Sequence, residues 1–205
     1  MAVKTLTRVD PFDDVGARFK AGIFGMWLLL VTLGMVFSAT ILGYLVVRVN
    51  PDPLEPFIPL DAPRLPHSLL ISTLALLASS YTMHQTVRAV RRGAVAAAGR
   101  LSGITLSLAL LFLLLQGVAW RDLWRHNLHV DDNLYAWTFY VLTGLHAAHV
   151  IGGVVPLWVV WHRASRGRYN AQNPEGVVYC AMYWHFLDVV WLVLYATLWL
   201  GSLTW

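Results

Sequence analysis

The chain has 205 residues, 58% of them hydrophobic and only 13% charged, with a net charge of +4 and a pI near 9.5. Soluble domains carry roughly twice that share of charge, so a water-soluble globular protein is excluded and an integral membrane protein is expected. The single cysteine, Cys180, excludes an intrachain disulfide and a cysteine-built metal cage. The basic pI reads as charge sorting across a bilayer rather than as nucleic-acid binding.

Residues 1–20 form a tail in which Lys4 and Arg8 are followed by Asp10, Asp13 and Asp14 instead of an apolar core. It is therefore not read as a signal peptide. Five windows without Asp, Glu, Lys or Arg follow, the last interrupted only by Asp188: 21–47, 65–87, 101–120, 133–162 and 176–203. Each holds about 20 residues or more, enough to cross about 30 Å of hydrocarbon as a helix. Continuous apolarity fits helices rather than the alternation of barrel strands. The expected fold is all-α: a single polytopic membrane domain, residues 1–205, built as a bundle of five transmembrane helices.

The connections differ in composition. Asn50 to Pro66 is rich in proline, Arg88 to Arg100 is a short basic turn, and Arg121 to Asp132 has mixed charge. Arg163 to Glu175 is basic and contains Gly167 and Pro174. Lys and Arg sort eleven to four between the two sides of this topology. The positive-inside rule then places the N-terminus in the cytoplasm and the C-terminus outside. Pro156 should loosen the fourth helix, and Gly144, Gly152 and Gly153 should permit close helix approach there.

Of the eight histidines, only His146, His149 and His185 lie well inside spans. His146 and His149 share one helix face, as do His185 and Asp188. The first pair has the spacing of metal ligands, but packed interior histidines are the plainer reading. With one cysteine and no larger histidine cluster, no redox centre is expected on this chain. His185 and Asp188 read as a proton-handling pair, as a lipid-headgroup contact, or as a structural clasp joining the fifth helix to His146 or His149, and the clasp is the plainer reading. One intramembrane acid is too few for a proton relay by itself. Arg163 and His162 fit the cytoplasmic end of the fourth helix, as membrane anchors or as contacts for a lipid phosphate. Trp158, Trp161, Trp184, Trp191, Trp199 and Trp205 read as interfacial belts and helix contacts.

Three stretches resemble subunit III of the haem–copper terminal oxidases, in its short five-helix bacterial form. Phe139-Tyr140-Val141-Leu142-Thr143-Gly144-Leu145-His146-Ala147-Ala148-His149-Val150 is similar to a segment of the fourth helix, with Arg163 fourteen residues after His149. Tyr183-Trp184-His185-Phe186-Leu187-Asp188-Val189-Val190-Trp191-Leu192-Val193-Leu194-Tyr195 resembles the specific signature of the last helix. Gly25-Met26-Trp27-Leu28, Ser79-Ser80 and Phe112 to Gln116 add weaker support.

The resemblance implies a non-catalytic subunit without cofactors of its own, beside subunits I and II that carry haem and copper. It implies a bacterial inner (plasma) membrane, a role in stabilising the catalytic subunit, bound phospholipid, and an association with proton uptake. By matching positions, Trp27 and Arg163 become lipid contacts. His146, His149, His185 and Asp188 become an interhelical polar cluster. Two positions depart from the family pattern: Leu33 and Ala119 stand where many members carry a carboxylate. An accessory subunit of a nitric oxide reductase or a quinol oxidase, and a stand-alone small transporter, are the alternatives.

Overall fold

A computed structural model describes residues 15–50, 67–126, 128–130 and 134–203. The tail cations Lys4 and Arg8, the proline-rich connection and Trp205 lie outside the described residues. Five helices run in order: α1 Val15–Val49, α2 His67–Arg91, α3 Val95–Arg125, α4 Leu134–Ser165 and α5 Glu175–Leu203. Among the described residues there is no strand. The helices run past the charge-free windows because backbone bonding continues into the interface, where Arg18, Arg100 or Arg121 can reach water.

The α2–α3 and α4–α5 connections each begin with a glycine-capped helix end. Gly93 has φ +70° and Gly167 has φ +68°. The Gly93 and Ala94 amides donate to Val90 and Ala89 carbonyls, and the Gly167 and Arg168 amides repeat the pattern on Ala164 and Arg163. These caps satisfy carbonyls that a helix end would leave unpaired. The first turn is so short that α2 and α3 must lie side by side and antiparallel.

Four of the helices are long and apolar enough to cross a membrane by length and composition alone: α1, α3, α4 and α5. Helix α2 falls short because it carries a row of serines and threonines. The bundle absorbs that row: Ser72, Thr73, Ser79 and Thr86 are buried, whereas Leu70, Ile71, Leu74 and Leu77 are exposed. Each buried hydroxyl donates to a carbonyl three or four residues back in its own helix. Leucine and isoleucine dominate the outward face of the first half of α2, with His84 and Arg88 exposed nearer its end, and α2 completes the five-helix bundle.

Helices α2, α3, α4 and α5 close a ring in which each touches the next, and α1 lies outside it against α5 and, more lightly, α4. On α3 the buried residues Ala98, Ser102, Thr105, Ala109, Phe112, Gln116, Ala119 and Leu123 recur at alternating spacings of four and three. That is the seam of a left-handed coiled coil. Six of these eight inward residues are small or polar, as close helix approach in lipid requires. Pro156 lies within α4, which continues through it to Ser165.

Candidate functional site: polar groups inside the bundle

His146 is fully buried, and among the described residues neither of its ring nitrogens has a hydrogen-bond partner. It is held by aromatic faces from three other helices. Its centroid lies 6.2 Å from that of Phe37 on α1, 5.8 Å from Phe112 on α3 and 4.9 Å from Trp191 on α5. His149, one turn on, donates from Nδ1 to the Leu145 carbonyl at 2.8 Å and packs on Phe37 at 5.0 Å. Tyr183 of α5 donates to the His149 carbonyl at 3.0 Å.

The other pair turns elsewhere. His185 Nδ1 shares a 2.7 Å hydrogen bond with Ser80 Oγ of α2, and its ring lies 6.5 Å from that of His84. Asp188 is buried, with its nearer oxygen 3.7 Å from His185 Nδ1 and, among the described residues, no hydrogen bond to either oxygen. The structure thus separates the four polar residues. His146 and His149 face α1 and an aromatic wall, while His185 faces α2. The expected hydrogen bond from the fifth-helix pair to the fourth-helix histidines is replaced by the one to Ser80. The reason is geometric: α5 touches both α2 and α4, and the hydroxyl row of α2 lies on the side His185 faces.

Sequence reasoning missed three further ties between helices. Trp184 donates to Ser79 Oγ at 3.0 Å and Trp191 to Thr73 Oγ1 at 2.9 Å, all four residues being buried. Trp120 donates to Thr143 Oγ1 at 3.1 Å, joining α3 to α4. An indole N–H inside a bilayer needs an acceptor. The signal was therefore present: two tryptophans seven residues apart on α5, and a hydroxyl-rich second span. Trp158 and Trp199, by contrast, are exposed. Gln116 was also missed; it is buried, and among the described residues neither of its polar side-chain atoms is hydrogen-bonded. It sits one turn after Phe112 and one turn before Trp120, both of which touch α4.

At the cytoplasmic side of the predicted topology, a polar hollow of about 360 Å³ is lined by Arg163, Arg168, Tyr169, Asn173, Glu175 and Tyr179. Burial pushes the Tyr169 phenol above its ordinary range, and the neighbouring Arg163 guanidinium pulls it partly back. Trp27 does not line this hollow; it stands exposed on α1. Among the described residues no three His, Cys, Asp or Glu side chains come together as metal ligands.

The model of the family described as cytochrome c oxidase subunit III matches residues 18–202. The chain belongs to that family. It is 34% identical over 180 residues to cytochrome c oxidase subunit 3 of a Synechocystis strain, covering 87% of this chain and 75% of that one. It is 30% identical to the protein of the same name from Thermostichus vulcanus, covering 87% and 86%. With the Corynebacterium diphtheriae protein it shares 34% identity over 65% of this chain and 64% of the relative.

As a subunit III chain, it keeps the two long motifs on adjacent helices, α4 and α5. The two departures from the family pattern also find places. Leu33 is one turn before Phe37, and Phe37 is the α1 residue that meets both fourth-helix histidines. Ala119 is fully buried on the inner seam of α3. Leu33 itself is half-buried.

Proposed function

We propose that this chain is the non-catalytic third subunit of a bacterial haem–copper cytochrome c oxidase in aerobic respiration. Haem and copper would sit on partner subunits I and II. The single observation that carries this reading is the subunit III family match from residue 18 to residue 202. The chain would lie in the plasma membrane with its N-terminus inside, stabilise the catalytic subunit, and assist proton uptake from the cytoplasm.

Lipid binding is the most concrete part of the role. Arg163 and Arg168 put two cations at the rim of the polar hollow, beside the end of α4. A phospholipid phosphate there would meet charge-assisted donors, with Trp27 available to the acyl region from α1. His146, His149, His185 and Asp188 would serve as interhelical polar groups that fix helix positions and perform no redox step.

The test is purification of the tagged chain in mild detergent from its native membrane, followed by absorption spectra and mass spectrometry. Co-purifying haem, copper and O₂ consumption driven by cytochrome c support the proposal. Quinol-driven O₂ consumption would point to a quinol oxidase. Haem without copper, with nitric oxide reduction, would make it an accessory subunit of that reductase. A colourless chain eluting alone would overturn the reading and favour a transporter.

A further inference from the structure

The bundle shows lipid an apolar surface on most sides. On α1 the outward residues include Phe24, Leu28, Val31, Met35 and Leu42. Three exposed hydroxyls elsewhere are closed on their own helix: Thr32, Ser107 and Thr197 each donate to the carbonyl four residues back. The groove between α2 and α5 differs. Ser80, His84 and Arg88 recur every four residues on α2, so they share one face. His84 and Arg88 are exposed, and among the described residues His84 makes a ring contact with His185 but no hydrogen bond. The His185 side chain is itself 38% exposed.

This stripe is not all at the membrane surface. His185 lies ten residues into α5, about 15 Å from its start at 1.5 Å per residue. Lipid tails offer no hydrogen bond there, and intramembrane ionisable groups normally face protein. Among the described residues of the seam, the one carboxylate, Asp188, is 4% exposed and set behind His185. The outward stripe is therefore built of donors and bases, with a fixed positive charge, Arg88, at its cytoplasmic end.

We propose that this α2–α5 seam is the docking site for a transmembrane helix of a partner protein that presents a carboxylate opposite His84. Under the oxidase reading above, on which only the partner's identity rests, that helix belongs to the catalytic subunit. A carboxylate complements two imidazoles and an arginine in charge and in hydrogen bonding. In lipid such a bond carries about 0.6–1.7 kcal/mol, equivalent to about a three- to twentyfold change in association.

The experiment uses the whole complex in its native membrane. A photo-reactive residue replaces Tyr81, which is 65% exposed and one turn from His84 on the same face. A second, separate chain carries it at Met35 on α1, 67% exposed. The Tyr81 position is expected to give an adduct with a different integral membrane chain, in a peptide bearing an intramembrane Asp or Glu, and the Met35 position adducts with lipid. In parallel, His84→Leu is expected to reduce retention of the chain with its partner in mild detergent by about three- to twentyfold, with helix content unchanged and recovery in His84→Gln. Lipid-only or self-adducts at Tyr81, or undiminished retention of His84→Leu, overturn the proposal. An adduct with a membrane chain that carries no haem keeps the seam and removes the oxidase reading, so the two failures are distinguishable.

Discussion

Trp191 Nε1 donates to Thr73 Oγ1 at 2.9 Å, inside the bundle, and the Thr73 hydroxyl in turn donates to the Leu69 carbonyl at 2.7 Å. The indole of α5 is thereby tied to the backbone of α2 through one hydroxyl. Thr73→Val keeps the shape and leaves a buried N–H unpaired, so it should destabilise the bundle by about 1–3 kcal/mol. Thr73→Ser should be nearly neutral. Unfolding in mixed detergent micelles, followed by tryptophan fluorescence, checks both; equal stability of the Val variant and the wild type would remove this tie from the account.

Glycines on α4 make a matched pair. A methyl group at Gly153 would stand 2.9 Å from Tyr183 Cε1 and 3.3 Å from Trp184 Cζ3, whereas at Gly144 it would meet nothing within 4 Å. Both rings belong to packed residues of α5, so they cannot swing away freely. Gly153→Ala should cost about 1–3 kcal/mol through overpacking, and Gly144→Ala should be neutral or slightly stabilising. The same unfolding titration compares them directly.

Asp188 is the only carboxylate between Gly176 and Trp205, and α1 has none between Ala21 and Val47. A hydrophobic carbodiimide should therefore label α5 or nothing within these two spans. Peptide mapping that finds label on α1 would contradict the assignment. Asp188→Leu removes the carboxylate 3.7 Å from His185 and should reduce retention of the chain in its complex without altering helix content. Ser80→Ala, which removes the 2.7 Å bond to the same ring, should shift retention the same way.

The loop before α5 carries a pH prediction. Burial raises the Tyr169 phenol above its ordinary range, and Arg163 lowers it again. A raised folded value means that the neutral phenol is favoured on folding. Its contribution is therefore present below the ordinary tyrosine range and fades as pH climbs through the folded value. Arg163→Ala removes the opposing influence, so Tyr169 should ionise at still higher pH. A difference absorbance titration against Tyr169→Phe isolates it, and a downward shift would refute the influence of Arg163 on this phenol.

The sequence by itself determined the class, the helix-rich fold and the family resemblance. Charge-free runs of membrane length permit little besides helices, and the strings from Phe139 to Gly153 and from Tyr183 to Tyr195 stand in the chain unaltered by folding. Helix α2 tested that reading, since its serines and threonines lower its apolarity, and only their inward orientation shows why it still belongs in the bundle. Tertiary structure alone decided who pairs with whom: His185 with Ser80 rather than with the fourth helix, Trp184 with Ser79, and His146 with three aromatic rings. The physical reason is the solvent. In water the apolar stripe of a helix marks its buried face. In lipid every face can be apolar, so the inside is set by small residues and by hydrogen bonds, and their partners lie on other helices.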